Sequence, residues 1–502
     1  VKENQLVLVR RHILEIEMQN KVQFITYVDR LTRGGFRQLK ELVDGKFAGL
    51  FGGVHVLPFF NPIDGADAGF DPTDHTIVDP RLGDWEDVRA LSGSVEIMAD
   101  LIVNHVSSQS GAFTDFIAKG SASEFADMFM TFDKVFPDGA TEEDLLRIYR
   151  PRPGLPFSKV TLADGTQRML WTTFTPEQID IDVHSAKGTT YLETILDRFS
   201  EANVTAIRLD AAGYAIKKAG SSCFMIDDTY AFLEEVAGKA RNRGMEVLVE
   251  IHSYHRDQIE IAKKVDRVYD FALPPLILHA LFTGDATPLA KWLAISPRNA
   301  ITVLDTHDGI GVIDVGAHSD GRAGLLEPQA IDNLVEEIHR RSDGQSRQAT
   351  GAAASNLDLY QVNCTYYDAL GRNDNDYLIA RAIQFFAPGI PQVYYVGLLG
   401  GVNDMDLLAK TGVGRDINRH YYGNDEIGTA LETPLFHRLS NLIRFRNTHP
   451  AFGGALKATI ADAGALVLSW QHGDAFAELK ISFADRKASI AASGQSEMQI
   501  VE

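Results

Sequence analysis

At 502 residues, 45% hydrophobic and 23% charged, the chain carries ample apolar material for one large domain with insertions plus a smaller one. Its formal net charge of −20 argues against nucleic acid and anionic membrane surfaces as partners. Two cysteines, Cys223 and Cys364, make neither a metal-ligand spacing nor a disulfide framework, which suits a reducing, cytoplasmic setting, and no apolar run reaches the ~18 residues of a membrane helix.

The first 17 residues interrupt their apolar positions with Arg10, Arg11, Glu15 and Glu17, so no signal-peptide core is formed. Met18 reads as a natural start, leaving residues 1–17 as an N-terminal extension or a short surface helix. Short apolar runs then recur at 22–28, 53–60, 96–105, 204–211, 245–252, 267–273, 300–308 and 391–397. Near-continuous apolar runs suit parallel strands buried on both faces. Amphipathic stretches lie between them. In 189–203, Tyr191, Ile195, Leu196 and Phe199 share one helical face, and 229–244 ends in Gly244, read as a helix C-cap.

Eight runs alternating with helices predict a (β/α)8 TIM barrel, an α/β fold, with two inserted subdomains and a small C-terminal all-β domain. A doubly wound dinucleotide-binding sheet is disfavoured, because no GxGxxG follows a strand. The barrel then occupies 18–105, 186–308 and 373–450. Insertions fall at 106–185 after the third strand and at 309–372 after the seventh, and the β domain covers 451–502.

In such a barrel, chemistry sits where strands end. The third run ends at Asn104-His105, the fourth at Asp210, the fifth at Glu250-Ile251-His252, and the seventh is followed by His307-Asp308. Arg208 lies two residues before Asp210, on the same side of a strand, where it can hold that carboxylate ionised and oriented. An ionised aspartate beside a protonated glutamate is what a retaining glycosidic mechanism needs, the two carboxyls ~5–5.5 Å apart. Asp308 is a third acid at the same rim, suited to sugar hydroxyls and an oxocarbenium-like transition state. One such residue alone is usually a cap or a surface ion pair; several together point to a carboxylate active site.

The strings "DLIVNH", "IRLDAAGY", "EIH" and "LDTHD" resemble, in order, the four signature regions of the α-amylase-like glycoside hydrolases and transglycosylases. Longer strings at 64–91, 149–157, 207–225, 305–315, 353–363 and 412–422 resemble the sucrose phosphorylase subfamily, a likeness running from about residue 18 to 450. The resemblance implies phosphorolysis of sucrose to α-glucose 1-phosphate and fructose, with net retention. It makes Asp210 the nucleophile, Glu250 the acid and base, and Asp308 the transition-state stabiliser. Asp67, Phe70, His105, Arg208, His307, Gln361 and Arg415 fall to the glucose site, with Phe70 stacking on the sugar ring. Tyr149, Arg152, Asp358 and Tyr360 fall to the acceptor and phosphate side. "YRPRP" offers both Arg150 and Arg152 for an anion, whose oxygens match a planar guanidinium. Sucrose, phosphate, glucose 1-phosphate and fructose are the small-molecule partners implied, with no cofactor, no metal, and a monomer or homodimer. Neighbouring readings are phosphorylases of sucrose 6′-phosphate, glucosylglycerol or glucosylglycerate, and sucrose hydrolysis or transglucosylation. A non-catalytic module is disfavoured because all three carboxylates are present.

Overall fold

The computed structural model describes residues 17–65, 67–151, 154–318, 320–353, 361–461 and 464–501. The N-terminal extension expected over 1–17 therefore lies almost wholly outside the described residues. Eight parallel strands close into a barrel: β1 (Gln23–Thr26), β2 (Gly53–Val56), β3 (Glu96–Ile102), β4 (Ala206–Asp210), β5 (Glu246–Val249), β6 (Arg267–Asp270), β7 (Ala300–Thr302) and β8 (Ile390–Tyr394). They pair in sequence order, and β8 returns to β1. Each of the eight apolar runs contributes one strand, though the runs overestimate strand length. The stretch 391–397 ends as the helical turn Tyr395–Leu398, and Phe60–Asn61 leaves the barrel to pair with Asp74–Val78.

Alternation sorts the strand residues between two cores. Ile207, Leu209, Val247 and Val249 belong to the large core between strands and helices. Met98, Ala206, Leu248, Ile301 and Ile390 form a separate cluster in the lumen, with Met18. Helix α1 (Ala186–Glu201) is capped by the Ser185 side chain accepting from Gly188 N and buries Leu192, Ile195, Leu196 and Phe199. Tyr191 of the expected stripe is partly buried against the same core. Helix α2 (Asp227–Arg241) ends three residues before Gly244. The glycine closes it as expected: at a left-handed φ of +80° its N–H donates to the Arg241 carbonyl at 3.0 Å, while Met245 N donates to the Ala240 carbonyl at 3.1 Å, the paired bonds of a glycine-ended helix.

After β3 the chain makes a helix at Gly111–Lys119 and a hairpin of Phe157–Thr161 with Gln167–Trp171. It returns as Gln178–Asp180, antiparallel to His105–Ser107. After β7, Ile310–Gly311 pairs with Gln361–Val362, with helices Pro328–Arg341 and Gln345–Ala353 between them. The C-terminal sheet is antiparallel with five strands, β9 (Ala455–Ile460), β10 (Leu466–His472), β11 (Ala475–Ser482), β12 (Lys487–Ala492) and β13 (Met498–Val501). Trp470 ties it to the barrel through Nε1, which donates to the Phe386 carbonyl at 2.8 Å. Among the described residues, no helix is long and apolar enough to cross a membrane.

Candidate active site

Arg208 on β4 pairs in register with Asp100 on β3, one alternation above the Met98–Ala206 pair of the lumen cluster. Both side chains therefore point inward. The Arg208 guanidinium is 2% exposed. Its Nη1 donates to Asp210 Oδ1 at 2.9 Å and to Asp100 Oδ1 at 2.5 Å, and Nη2 lies 3.8 Å from Glu250 Oε1. Glu250 is the first residue after β5, and Asp210 is the last of β4. Ala211 then enters the left-handed region at φ +54°, a conformation that costs a non-glycine residue about 1–2 kcal/mol and turns the chain away from the strand.

Desolvation works against the ionisation that Arg208 favours at Asp210. Burial of Asp210, with Glu250, Asp100 and Asp67 around it, pushes its carboxyl up to about 8 against the pull of Arg208. Arg208, 2.9 Å from the carboxylate, opposes that push and favours the ionised form, as its place two residues earlier on the strand leads one to expect. Asp100 is buried as well, but Arg208 and His55 hold it down, to about 2. Asp308 goes further in the same direction. Burial opposes its charge, yet Arg415, His307, Arg419 and Arg208 hold it far below the usual carboxylate range. Arg415 Nη1 lies 2.8 Å from Asp308 Oδ1.

His105, Phe70, His307 and Asp67 form one wall. His105 Nε2 donates to the Phe70 carbonyl at 3.0 Å and lies 3.1 Å from Gln178 Nε2, which reaches Asp67 Oδ2 at 3.5 Å. Phe70 is 4% exposed; its ring stacks on His307 with centroids 5.0 Å apart and lies 5.6 Å from the Arg208 guanidinium carbon. Burial pushes His307 down to about 3 and lowers His105, so both are neutral hydrogen-bonding groups at physiological pH.

An aromatic cluster adjoins this wall, Phe174 meeting His105 edge-on at 5.5 Å. Tyr149 stacks on Phe224 at 4.6 Å, and Phe224 packs on Tyr214 at 4.7 Å, which in turn meets Phe174 edge-on at 5.1 Å. Gln361 Nε2 lies 3.2 Å from His252 Nε2. His252 Nδ1 donates to the buried Asp314 at 2.9 Å; burial lowers the imidazole's affinity for a proton, and Asp314 more than offsets this. Together these residues line a pocket of about 520 Å³, within the usual range of small-molecule sites. It includes Asp67, Phe70, His105, Tyr149, Asp210, Glu250, His307, Asp308, Gln361 and Arg415. Arg150 also lines it and donates to the Gly154 carbonyl at 3.2 Å. Arg152, Asp358 and Tyr360 lie outside the described residues. Among the described residues, no group of three or more His, Cys, Asp or Glu side chains is arranged to hold a metal ion.

Sequence reasoning missed Asp100, Gln178, Phe174, Tyr214 and Phe224. Asp100 had a signal, since it is a charge inside an apolar run, just as Arg208 is. The aromatics had none with a common period: Phe174 comes from the insertion after β3, and Tyr214 and Phe224 from the segment between β4 and α2.

Residues 50–268 match the family model "Alpha amylase, catalytic domain". The chain is 80% identical over 477 residues to a sucrose phosphorylase of Agrobacterium vitis, covering 95% of this chain and 98% of that one. It is 55% identical over 456 residues to a sucrose phosphorylase of Bifidobacterium adolescentis, covering 90% of each. The crystal structure of a sucrose 6F-phosphate phosphorylase from Thermoanaerobacter thermosaccharolyticum superposes with a TM-score of 0.88 at 38% identity, covering 96% of this chain and 98% of that one. With a closed barrel, a rim of three carboxylates and this degree of identity along nearly its whole length, the chain belongs to the sucrose phosphorylase family.

Proposed function

We propose that this protein reversibly transfers the glucosyl group of sucrose to inorganic phosphate, giving α-glucose 1-phosphate and fructose. The observation that carries this reading is the Arg208 guanidinium within ion-pair distance of both Asp210 and Glu250 at adjoining strand ends. A pair so placed suits two displacements at one anomeric carbon. Asp210 attacks the carbon and forms a β-glucosyl ester, while Glu250 gives its proton to the departing fructosyl oxygen. Phosphate then loses a proton to Glu250, attacks the same carbon from the face fructose left, and frees Asp210. Asp308 stays ionised throughout and stabilises the positive charge that develops on the ring.

Asp67 and Arg415 are assigned to the far hydroxyls of glucose, His105 and His307 to the nearer ones, and Phe70 to the apolar face of the ring. Gln361 is assigned to the glucose site at its acceptor edge; beyond it Tyr149 and Arg152 face phosphate or fructose, and the loop carrying Asp358 and Tyr360 serves the two in turn. Arg152 supplies the planar fork that lets millimolar phosphate compete with water at ~55 M. The two buried cysteines suit a reducing, cytoplasmic setting, and the enzyme works as a monomer or homodimer.

The test is an assay of glucose 1-phosphate release from sucrose, sucrose 6′-phosphate, glucosylglycerol and glucosylglycerate, each with phosphate. Sucrose is expected to turn over fastest. Faster turnover of another donor, or glucose release indifferent to phosphate, overturns the assignment. Arg152→Ala is expected to raise the phosphate requirement and the hydrolysed fraction, and an unchanged phosphate dependence removes Arg152 from that role.

A further inference from the structure

Beneath the site, the lumen carries a row of polar side chains of which the mechanism above uses only Arg208. His55 on β2, Asp100 on β3, Arg208 on β4, Tyr269 on β6 and Gln392 on β8 are each at most 3% exposed. His55 Nε2 donates to Asp100 Oδ2 at 3.0 Å. Tyr269 hydroxyl lies 3.5 Å from His55 Nδ1 and donates to Gln392 Oε1 at 3.2 Å. Apolar side chains usually fill this space. Buried charges and dipoles contribute little net stability over well-packed apolar replacements, so the row calls for another explanation.

The explanation lies in a shared donor. Arg208 Nη1 serves two acceptors at once, Asp100 Oδ1 and Asp210 Oδ1. Asp100 is the better placed of the two, being fully buried and closer. What keeps Asp100 from turning both oxygens toward the guanidinium is the donor on its other oxygen, His55.

We propose that His55 is a positioning residue: by engaging Asp100 Oδ2 it divides Arg208 Nη1 between Asp100 and Asp210 and so sets the orientation and ionisation of the nucleophile. This rests on the reading of Asp210 as the nucleophile. The charged and titratable groups around the row are few. His55 faces Asp100 and Tyr269. The Asp100 carbonyl accepts from His75 Nε2 at 3.1 Å, and His307 acts on its carboxylate from above. Burial holds His75 and His307 neutral, which leaves Arg208 as the cation between Asp100 and the Asp210–Glu250 pair, with Asp67 further out. Without His55, Arg208 moves toward Asp100, Asp210 loses part of its counter-charge, and its carboxyl holds its proton to higher pH.

The experiment is the pH dependence of sucrose phosphorolysis, from pH 5 to 9, for the full-length wild type, His55→Phe and His55→Gln. His55→Phe removes the donor; His55→Gln keeps an N–H at the Nε2 position. In His55→Phe the ascending limb of kcat/KM for sucrose is expected to move up by about one pH unit, with kcat down about tenfold. In His55→Gln both return toward wild type. If His55→Phe does not fold, His55→Asn, too short to reach Asp100, replaces it with the same expectation. A limb unmoved in the donor-less variant, or moved equally in His55→Gln, overturns the positioning role in an enzyme that is otherwise active. A wild type that does not phosphorolyse sucrose overturns the functional reading and this role with it.

Discussion

Arg415 Nη1 stands 2.8 Å from Asp308 Oδ1 across the floor of the pocket, and this contact is what lets a buried carboxylate keep its charge. Asp308 is 11% exposed, and without a counter-ion its desolvation would favour the neutral acid. A second arginine, Arg419, is 3.8 Å from the same oxygen and cannot fully replace the first. Arg415→Leu is therefore expected to lower kcat/KM for sucrose by about 10²-fold or more, as removal of one partner of a buried charge pair does. Initial rates of glucose 1-phosphate formation check this; a loss under threefold would contradict it.

Asp210→Asn is expected to abolish trapping of a glucosyl-enzyme while making the protein more resistant to unfolding. The sign follows from the raised carboxyl. Burial pushes the Asp210 carboxyl up to about 8 in the folded chain, above the ordinary aspartate value it has when unfolded. Its stabilising contribution is complete below the unfolded value and is lost as pH rises through 8. The advantage of the Asn variant in melting temperature should thus grow from about pH 4 to 8 and then level off. Thermal unfolding at pH 5, 7 and 9 measures it, and an advantage that shrinks with pH would be the wrong sign.

Asp270, at the end of β6, offers the same argument away from the reacting groups. It is 1% exposed and accepts from Trp292 Nε1 at 2.9 Å and from Leu273 N at 3.0 Å, with no arginine or lysine in its ion pairs among the described residues. Burial pushes it up to about 7. Asp270→Asn keeps Oδ1 as acceptor for both donors and gives up only the second contact of Trp292 Nε1, 3.0 Å to Oδ2. It should hold sucrose phosphorolysis within about threefold of wild type and gain stability between pH 4 and 7, flat above. Equal melting shifts at pH 5 and 8 would remove Asp270 as the source.

A methyl group at Gly213 would meet Phe224 Cε2 at 2.6 Å. The ring would have to move, and with it the stack of Tyr149 and Tyr214. Gly213→Ala is expected to raise KM for phosphate and the glucose to glucose 1-phosphate ratio by about threefold or more, with a smaller effect on the first step. Product partitioning at fixed sucrose reads this out.

Much of the architecture was legible before any coordinates. Buried parallel strands carry near-continuous apolar runs, and eight of them alternating with amphipathic helices admit few closed arrangements. Arg208 and Asp210 could be placed on one side of a strand because side chains alternate. The helix stripe of Ile195, Leu196 and Phe199 followed from the 3.6-residue period. The helix end at Gly244 was legible too, since a residue free to take φ +80° lets its own N–H and that of Met245 turn back onto the Arg241 and Ala240 carbonyls.

Strand parity and apolar period are local properties, so the sequence by itself determined the barrel, the rim and which side chains could face it. Only the closed barrel decided what each charged group meets. His55 reaches Asp100, and Arg208 divides itself between Asp100 and Asp210, because strand closure sets neighbours that no spacing encodes. The proton affinity of Asp210 belongs to the same class, because desolvation is a property of the whole surrounding volume and works against the adjacent arginine.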